Sequence, residues 1–165
     1  MTSENSSSDI KDVDPGPVVD RWFEDLPVGE VRNAGPLTVT ADEIVRFAER
    51  YDPLPMHTSD AGGSAVHGGM ISSGVLTIAL KQRLIMSIER NTAIIGAARI
   101  DDNVFARPVR AGDDLFMRQE ITGKRESRSR PDRGLVSYDF TMTNQNGEVV
   151  LTSTDLVMVR RRPAE

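Results

Sequence analysis

Residues 68–88, GGMISSGVLTIALKQRLIMSI, decide how the rest of the chain is interpreted. The stretch from Met70 to Leu80 carries no charged side chain, and its apolar residues cover more than one helical face. A helix that is apolar nearly all round is a buried one. Glycines at its start favour a tight entry into the core. The segment therefore predicts a long central helix, opened by Gly68 and Gly69 and enclosed by the rest of the protein.

A shorter helix is predicted on the N-terminal side. Thr40 is a candidate N-cap, and Glu43 follows three residues later, which is the spacing of a capping box. Pro53 disfavours helical backbone at the residue before it. An apolar stripe runs between these signals, at Ile44, Phe47, Ala48 and Tyr51. The pattern predicts a helix over 40–51, preceded by a short strand at 37–40 and followed by a polar loop at 58–66.

The C-terminal half alternates apolar and polar residues, which is the period of half-buried strands. The alternation is clear over 115–121 and 136–142, and strands are also predicted over 93–105 and 149–159. Asn146 and Gly147 form a strong hairpin signal before the last of them. One buried helix and a run of antiparallel strands predict an α+β fold with the sheet around the helix.

Composition sets the class of protein. With 165 residues and a hydrophobic fraction of 38%, we expect one globular domain over 20–162, with Trp22 and Phe23 as its first large apolar residues. Residues 1–19 are acidic, Ser-rich and without the apolar core of a signal peptide, so a disordered tail is predicted. A cytoplasmic protein is expected.

Charge and residue counts exclude several kinds of chemistry. The net charge of -5 argues against nucleic-acid and membrane-surface partners. The chain has no cysteine and two histidines, which rules out thiolate zinc sites, iron–sulfur clusters and a three-histidine metal centre. No apolar run approaches the ~20 residues that a membrane span requires. We therefore expect no metal and no redox cofactor.

The segment 51–57, YDPLPMH, carries the candidate chemistry. Its two alternating prolines favour a stiff, extended backbone. A carboxylate at Asp52 and an imidazole at His57, fixed in one orientation, are able to hold a water and exchange protons with it. The spacing alone is a weak signal, because an Asp-Pro helix stop and a space-filling histidine would give the same pattern.

Two further groups of residues extend this hypothesis. Gly68 and Gly69, at a helix start, would offer free N–H groups to the negative oxygen of a polarised thioester carbonyl, although tight packing explains them equally well. A serine such as Ser73 in the first turn either bonds to backbone or orients the site. The guanidinium groups of Arg128 and Arg130 suit the phosphates of coenzyme A, against the alternative of a solvated hairpin tip.

Together these segments resemble the MaoC-like hydratase family, whose best-known activity is (R)-specific enoyl-CoA hydration. The resemblance extends from Trp22 to Arg161 and rests on ordered blocks rather than on one motif. The blocks are residues 23–29, 40–51, 52–58, 68–74, 107–113 and 127–134. Within the block 52–58, DPLPMHT is similar to the family's D-x-x-P-x-H catalytic stretch.

The resemblance implies a hot-dog fold, a curved antiparallel sheet around a long helix, and a homodimer or dimer-based oligomer. It assigns the catalytic pair to Asp52 and His57 and the carbonyl-binding N–H to Gly68. It also gives Ser73 the place of a serine that supports the site. The substrate would be carried as a coenzyme A or acyl-carrier-protein thioester, without another cofactor.

The chain departs from the family's usual pattern at two positions beside the catalytic pair. Tyr51 stands where a glycine is usual, and Leu54 replaces an asparagine that supports the loop by hydrogen bonds. The predicted function is hydration of a 2-enoyl thioester, or the reverse dehydration of a 3-hydroxyacyl thioester, in fatty acid metabolism. The alternatives are a hot-dog thioesterase and a non-catalytic acyl-thioester-binding module or subunit.

Overall fold

The computed structural model describes residues 18–164. Its strands are β1 Val31–Thr38, β2 Ile94–Phe105, β3 Asp114–Glu126, β4 Arg133–Thr143 and β5 Val149–Arg160. Its α-helices are α1 Ala41–Tyr51, α2 Pro55–Thr58, α3 Asp60–His67 and α4 Gly74–Glu89. A 3₁₀ turn, Phe23–Asp25, precedes β1. The predicted tail at 1–19 lies outside the described residues up to position 17, and the single domain at 20–162 stays a prediction.

The strands form one antiparallel sheet in the order β1-β3-β4-β5-β2. One face of α4 packs on this sheet, with Leu76, Leu80 and Leu84 buried in the same core cluster as Met117 and Val136. Apolar side chains that alternate along β3 and β4 place every second residue against the helix. The result is the hot-dog architecture, and the α+β prediction is confirmed.

The predicted signals around α1 are largely confirmed. Thr40 is the N-cap, and its hydroxyl accepts a hydrogen bond from the N–H of Glu43 at 3.1 Å. The carboxylate of Glu43 lies 3.8 Å from Arg83, on α4. The stripe predicted to reach Tyr51 ends earlier, because the side chain of Tyr51 is 62% exposed and its ring lies tilted against that of Phe47.

The predicted start of the central helix is wrong. The helix α4 begins at Gly74, after Ser73, whose hydroxyl caps it by accepting a hydrogen bond from the N–H of Leu76 at 3.2 Å. Gly68 instead ends α3 in the left-handed conformation, at φ 69°. The intervening residues 70–73 are not helical, since three of their N–H groups bond to other segments.

Other predicted boundaries also change. The region 58–66, predicted as a loop, contains most of α3, whose N-cap Ser59 accepts a hydrogen bond from the N–H of Gly62 at 3.1 Å. The strand predicted at 37–40 begins at Val31 and ends at Thr38. The helix α4 is also not enclosed on every side, because Val75 and Met86 are exposed.

Candidate active site

Asp52 and His57 are brought together by the turn between α1 and α2. Asp52 is the C-cap of α1, and its N–H donates to the carbonyl of Ala48 at 2.9 Å. His57 lies in α2, and its N–H donates to the carbonyl of Leu54 at 2.9 Å. Proline at the first position of α2 starts this helix, because its fixed φ suits a helix start and its missing N–H would have no intrahelical partner there. The imidazole Nε2 and the carboxylate Oδ2 are 3.6 Å apart.

The buried imidazole of His57 has a defined tautomer. Its Nδ1 lies 2.9 Å from the carbonyl oxygen of Ile71. A carbonyl oxygen only accepts, so Nδ1 carries the hydrogen, and Nε2 of the neutral ring presents a lone pair towards Asp52. Two acceptors at 3.6 Å form no direct hydrogen bond, but they are placed so that one water is able to donate to both.

The carboxylate of Asp52 is available for chemistry. Its side chain is 28% exposed, in contrast to the 5% of His57. Within residues 18–164, no N–H or O–H group donates a hydrogen bond to this carboxylate. Both of its oxygens are therefore available to a substrate or to water.

A second feature of the site is the segment 68–72, between α3 and α4, where four of five N–H groups are already used. The N–H of Gly68 donates to Ser64 O at 3.3 Å, and that of Met70 donates to Asp60 Oδ1 at 3.1 Å. The N–H of Ile71 donates to Met56 O at 3.0 Å, and that of Ser72 donates to Val109 O at 2.8 Å. In the described part of the chain, the N–H of Gly69 has no partner. It is the one amide of this segment available to a ligand.

Glycine is required around this free amide for two reasons. Gly69 itself has φ 137°, a conformation that side chains disfavour. A Cβ at Gly63 would lie 2.0 Å from the carbonyl oxygen of Gly69, and one at Gly62 would lie 2.1 Å from that of Pro55. The sequence reasoning missed Gly62 and Gly63, although two adjacent glycines in a short segment are a signal of close backbone approach.

The two serines before α4 hold the junction of loop and helix. The hydroxyl of Ser73 caps α4, and the hydroxyl of Ser72 donates to the carbonyl of Ser73 at 3.1 Å. Thr77 donates to the same carbonyl at 3.1 Å. Ser73 is buried, so in this structure its contacts are structural.

The two predicted phosphate-binding arginines are not near Asp52 within one chain. Arg128 and Arg130 lie in the connection between β3 and β4, at the end of the sheet where the β4–β5 pairing reaches Arg160. The end that carries the candidate pair Asp52 and His57 is marked by Phe105, whose ring lies against the first residue of α4 and which pairs with Leu151. These two points on β5 are about 30 Å apart at the usual strand rise.

Within residues 18–164, no group of three or more His, Asp or Glu side chains is placed to hold a metal ion. No helix in this range has the length and apolarity needed to cross a bilayer.

Comparison with known proteins identifies the family. Residues 23–143 match the family described as MaoC like domain, and this region is most of the chain. The protein belongs to the MaoC-like domain family. A curated relative, the uncharacterized protein YdeM of Bacillus subtilis, is 28% identical over 141 residues, which is 84% of this chain and 99% of YdeM.

Solved structures agree with this fold. A MaoC-like dehydratase from Rhodospirillum rubrum is 35% identical and has a TM-score of 0.81. The match covers 88% of this chain and 100% of that one. An (R)-hydratase from Pseudomonas aeruginosa is similar in fold, at 22% identity and a TM-score of 0.71, over 90% of this chain and 94% of that one. A Mycobacterium tuberculosis protein described as a double hot-dog has a TM-score of 0.74 at 21% identity, and the match covers 91% of this chain and 46% of that one.

Proposed function

We propose that this protein is a hydro-lyase that adds water to a 2-enoyl thioester or removes it from a 3-hydroxyacyl thioester. The observation that carries the proposal is the pair of acceptors at 3.6 Å, Asp52 Oδ2 and His57 Nε2. The unpartnered N–H of Gly69, in the adjacent segment, supplies the second element. Family membership supports the same reaction class, since the Rhodospirillum relative is described as a dehydratase.

In the hydration direction, one water donates hydrogen bonds to Asp52 Oδ2 and His57 Nε2 and turns a lone pair towards C3 of the substrate. The water oxygen bonds to C3 while Asp52 accepts its proton. The C2–C3 π electrons form an enolate, whose oxygen is held by a backbone N–H. Asp52 then delivers its proton to C2, so the elements of water are added and the carboxylate is restored. Dehydration runs through the same steps in reverse.

Gly69 is a better donor to the thioester carbonyl than Gly68. The sequence resemblance assigned this role to Gly68, but the N–H of Gly68 donates to Ser64 at the end of α3. Gly68 then serves as the left-handed residue that turns the chain into the site. Ser73 contributes by capping α4 and so fixing where the segment ends.

A homodimer formed through β2 would complete the site. This edge strand is hydrogen-bonded on one side, to β5, and apolar residues on it and on α4 are exposed. They are Val75, Met86, Ile100, Val104 and Phe105. Unpaired edge strands with apolar surface are prone to pair with a second copy. Sedimentation of the protein, with Val104→Lys as the disrupted variant, tests this assembly.

Antiparallel pairing of two β2 strands would place the catalytic end of one protomer beside the opposite end of its partner. Arg128 and Arg130 lie at that opposite end, so the predicted contacts with coenzyme A phosphates would be made across the dimer. Coenzyme A or acyl carrier protein as the thioester carrier, the absence of another cofactor and a cytoplasmic location remain predictions.

The test is incubation with a short 2-enoyl-CoA while enoyl absorbance and free thiol are followed together. Loss of absorbance without thiol release is the expected result. Thiol release would identify a thioesterase. Binding without either change, over several chain lengths, would identify a non-catalytic module, for which the replacement of asparagine by Leu54 is the relevant sequence feature.

A further inference from the structure

Arg110 reaches from the connection between β2 and β3 to the segment 68–72, which we call the glycine segment. Its guanidinium donates through Nη2 to the carbonyl oxygen of His67 and through Nη1 to that of Met70, the latter at 3.5 Å. A Cβ built on Gly69 would lie 3.7 Å from Nη1, so the cation is close to the free amide. The side chain is half-buried, and its donors are directed at backbone rather than at a carboxylate.

A tight turn fixes the base of this side chain. The N–H of Arg110 donates to Asp113 Oδ2 at 2.8 Å, and the N–H of Asp113 donates back to the carbonyl of Arg110 at 3.2 Å. Just before the turn, the carbonyl of Val109 accepts the N–H of Ser72 at 2.8 Å. The turn and the glycine segment are therefore joined at more than one point.

The peptide group before Gly68 is fixed at both of its polar ends. Its carbonyl, that of His67, accepts from Arg110, and its N–H, that of Gly68, donates to Ser64. A peptide group is planar, so two such contacts define its orientation.

The two peptide groups after Gly69 are also held, the first at its N–H and the second at both polar ends. The N–H of Met70 donates to Asp60 Oδ1 at 3.1 Å, and the carbonyl of Met70 accepts from Arg110. The N–H of Ile71 completes this second peptide by donating to Met56 O at 3.0 Å. The one peptide between these fixed planes joins Gly68 and Gly69, and it carries the unpartnered N–H.

We propose that Arg110, together with Asp60, is a positioning residue that aims the Gly69 N–H at the thioester carbonyl oxygen. The inference rests on the proposed function. Glycines on both sides leave this peptide with wide φ and ψ freedom, so its direction depends on the planes next to it. The guanidinium also places a positive charge beside Gly69, where it offsets the nearby carboxylate of Asp60.

Kinetics of Arg110→Ala test the role, with Arg107→Ala as the matched control. Arg107 lies in the same connection, is exposed and pairs with Glu148 at 3.5 Å. We expect Arg110→Ala to lower kcat by about 10²-fold, the usual loss for one oxyanion donor, with a much smaller change in KM. Arg110→Lys, which keeps the charge but not the two-pronged geometry, should recover part of kcat. Equal kcat values for Arg110→Ala and Arg107→Ala would overturn the proposal.

A binding measurement separates this inference from the proposed reaction. Butyryl-CoA has the thioester carbonyl but no double bond to hydrate, so the amide resonance of Gly69 reports carbonyl binding alone. We expect a downfield shift in the unmodified protein that is lost in Arg110→Ala and partly kept in Arg110→Lys. That result without enoyl hydration would disprove the hydro-lyase but support the positioning role of Arg110. Enoyl hydration without a butyryl-CoA-induced shift of the Gly69 amide resonance would disprove this positioning role. If Arg110→Ala does not fold, Arg110→Lys carries both measurements.

Discussion

Asp52 and Glu89 are carboxylates in opposite states near the two ends of α4. Asp52 is the C-cap of α1 and lies near the start of α4 through His57, which contacts the carbonyl of Ile71. Its side chain is 28% exposed and faces the lone pair of His57 across 3.6 Å. At the end of α4, Glu89 is 1% exposed and has several polar partners. Gln119 Nε2 at 2.5 Å and the hydroxyl of Thr92 donate hydrogen bonds to it, and Arg32 Nη1 forms an ion pair with it at 3.1 Å without donating a hydrogen bond. The carboxylate of Asp52 thus has no donor among the described residues, whereas the carboxylate of Glu89 has several partners.

The two carboxylates therefore have different roles. Asp52 is the proposed proton acceptor, so we call its end of α4 the reactive end; Glu89 stabilises the fold, so we call its end the structural end. A buried carboxylate whose oxygens are occupied by donors and cations is not open to a substrate and is poorly placed to take a proton from one. The pair of Lys81 and Asp155, both buried and 2.9 Å apart, belongs with Glu89 in this respect. Burial also raises the pKa of Tyr138 beside this cluster, which keeps its hydroxyl neutral. Burial and ion pairing alone therefore do not identify a candidate catalytic carboxylate.

The largest expected effect is a loss of kcat when Asp52, at the reactive end, is replaced. Asp52→Asn removes the proton acceptor but keeps the shape of the side chain, so kcat should fall by about 10²–10⁴-fold with little change in Tm. Asp42→Asn is the control, since Asp42 lies on the same helix in an exposed pair with Arg46. Enoyl-CoA hydration rates measure the effect. A near-normal rate for Asp52→Asn would remove this residue from the mechanism.

The second effect is a loss of stability when Glu89, at the structural end, is replaced. Glu89→Ala leaves Gln119 without its buried acceptor and Arg32 without its buried ion-pair partner, which should cost about 3–5 kcal/mol in the free energy of unfolding. Denaturant titration measures this loss, and exposed Glu49→Ala should change the stability by less than about 0.5 kcal/mol. The kcat of the folded fraction should stay close to normal. If kcat fell as much as in Asp52→Asn, the contrast between the two ends would be lost.

The third prediction sharpens the reactive end, because it moves a backbone amide without changing a charged group. A Cβ at Gly63 would lie 2.0 Å from the carbonyl of Gly69, so Gly63→Ala must displace that carbonyl. We expect a loss in kcat approaching 10²-fold. Gly123→Ala, where the nearest atom is 3.8 Å from the new Cβ, is the control. Similar rates for the two variants would contradict the role of Gly69.

The smallest effect concerns an acid on the surface. The N–H of Trp22 and the guanidinium of Arg162 hold the pKa of Asp25 below its ordinary value, although slight burial opposes them. A lowered pKa in the folded state contributes stability above the unfolded value, near 3.8, and this contribution is lost as the pH falls further. Asp25→Asn should therefore lower Tm at pH 7, and this loss should be smaller at pH 3. An equal loss at both values would show that the carboxylate charge is not responsible.

The sequence predicted most of the fold because each signal was local and physically strong. Alternation gave β3 and β4, Asn146-Gly147 gave the hairpin before β5, and Thr40 gave the start of α1. The start of α4 was missed since long-range hydrogen bonds, from Ile71 to Met56 and from Ser72 to Val109, keep the preceding residues extended. No local pattern encodes those partners.

The candidate site shows the same division. Asp52 and His57 were found because they share one short segment, and the structure places them within reach of one water. Gly69 as the free donor was not distinguishable from Gly68, because the difference depends on which amide Ser64 accepts. Arg110 was not singled out, since its contacts are to backbone carbonyls that are close only in the folded chain.

The contact between Gly63 and Gly69 has a consequence for mutational libraries. Solvent exposure usually identifies positions that tolerate change, yet Gly62 is exposed and its Cβ would lie 2.1 Å from a backbone oxygen. Val66, on the same short helix, is 82% exposed, so exposure alone would treat both positions as free to vary. A library that varies this surface should hold 62, 63 and 69 as glycine and diversify Val66. Tolerance here follows the space around the backbone, and accessibility predicts it poorly.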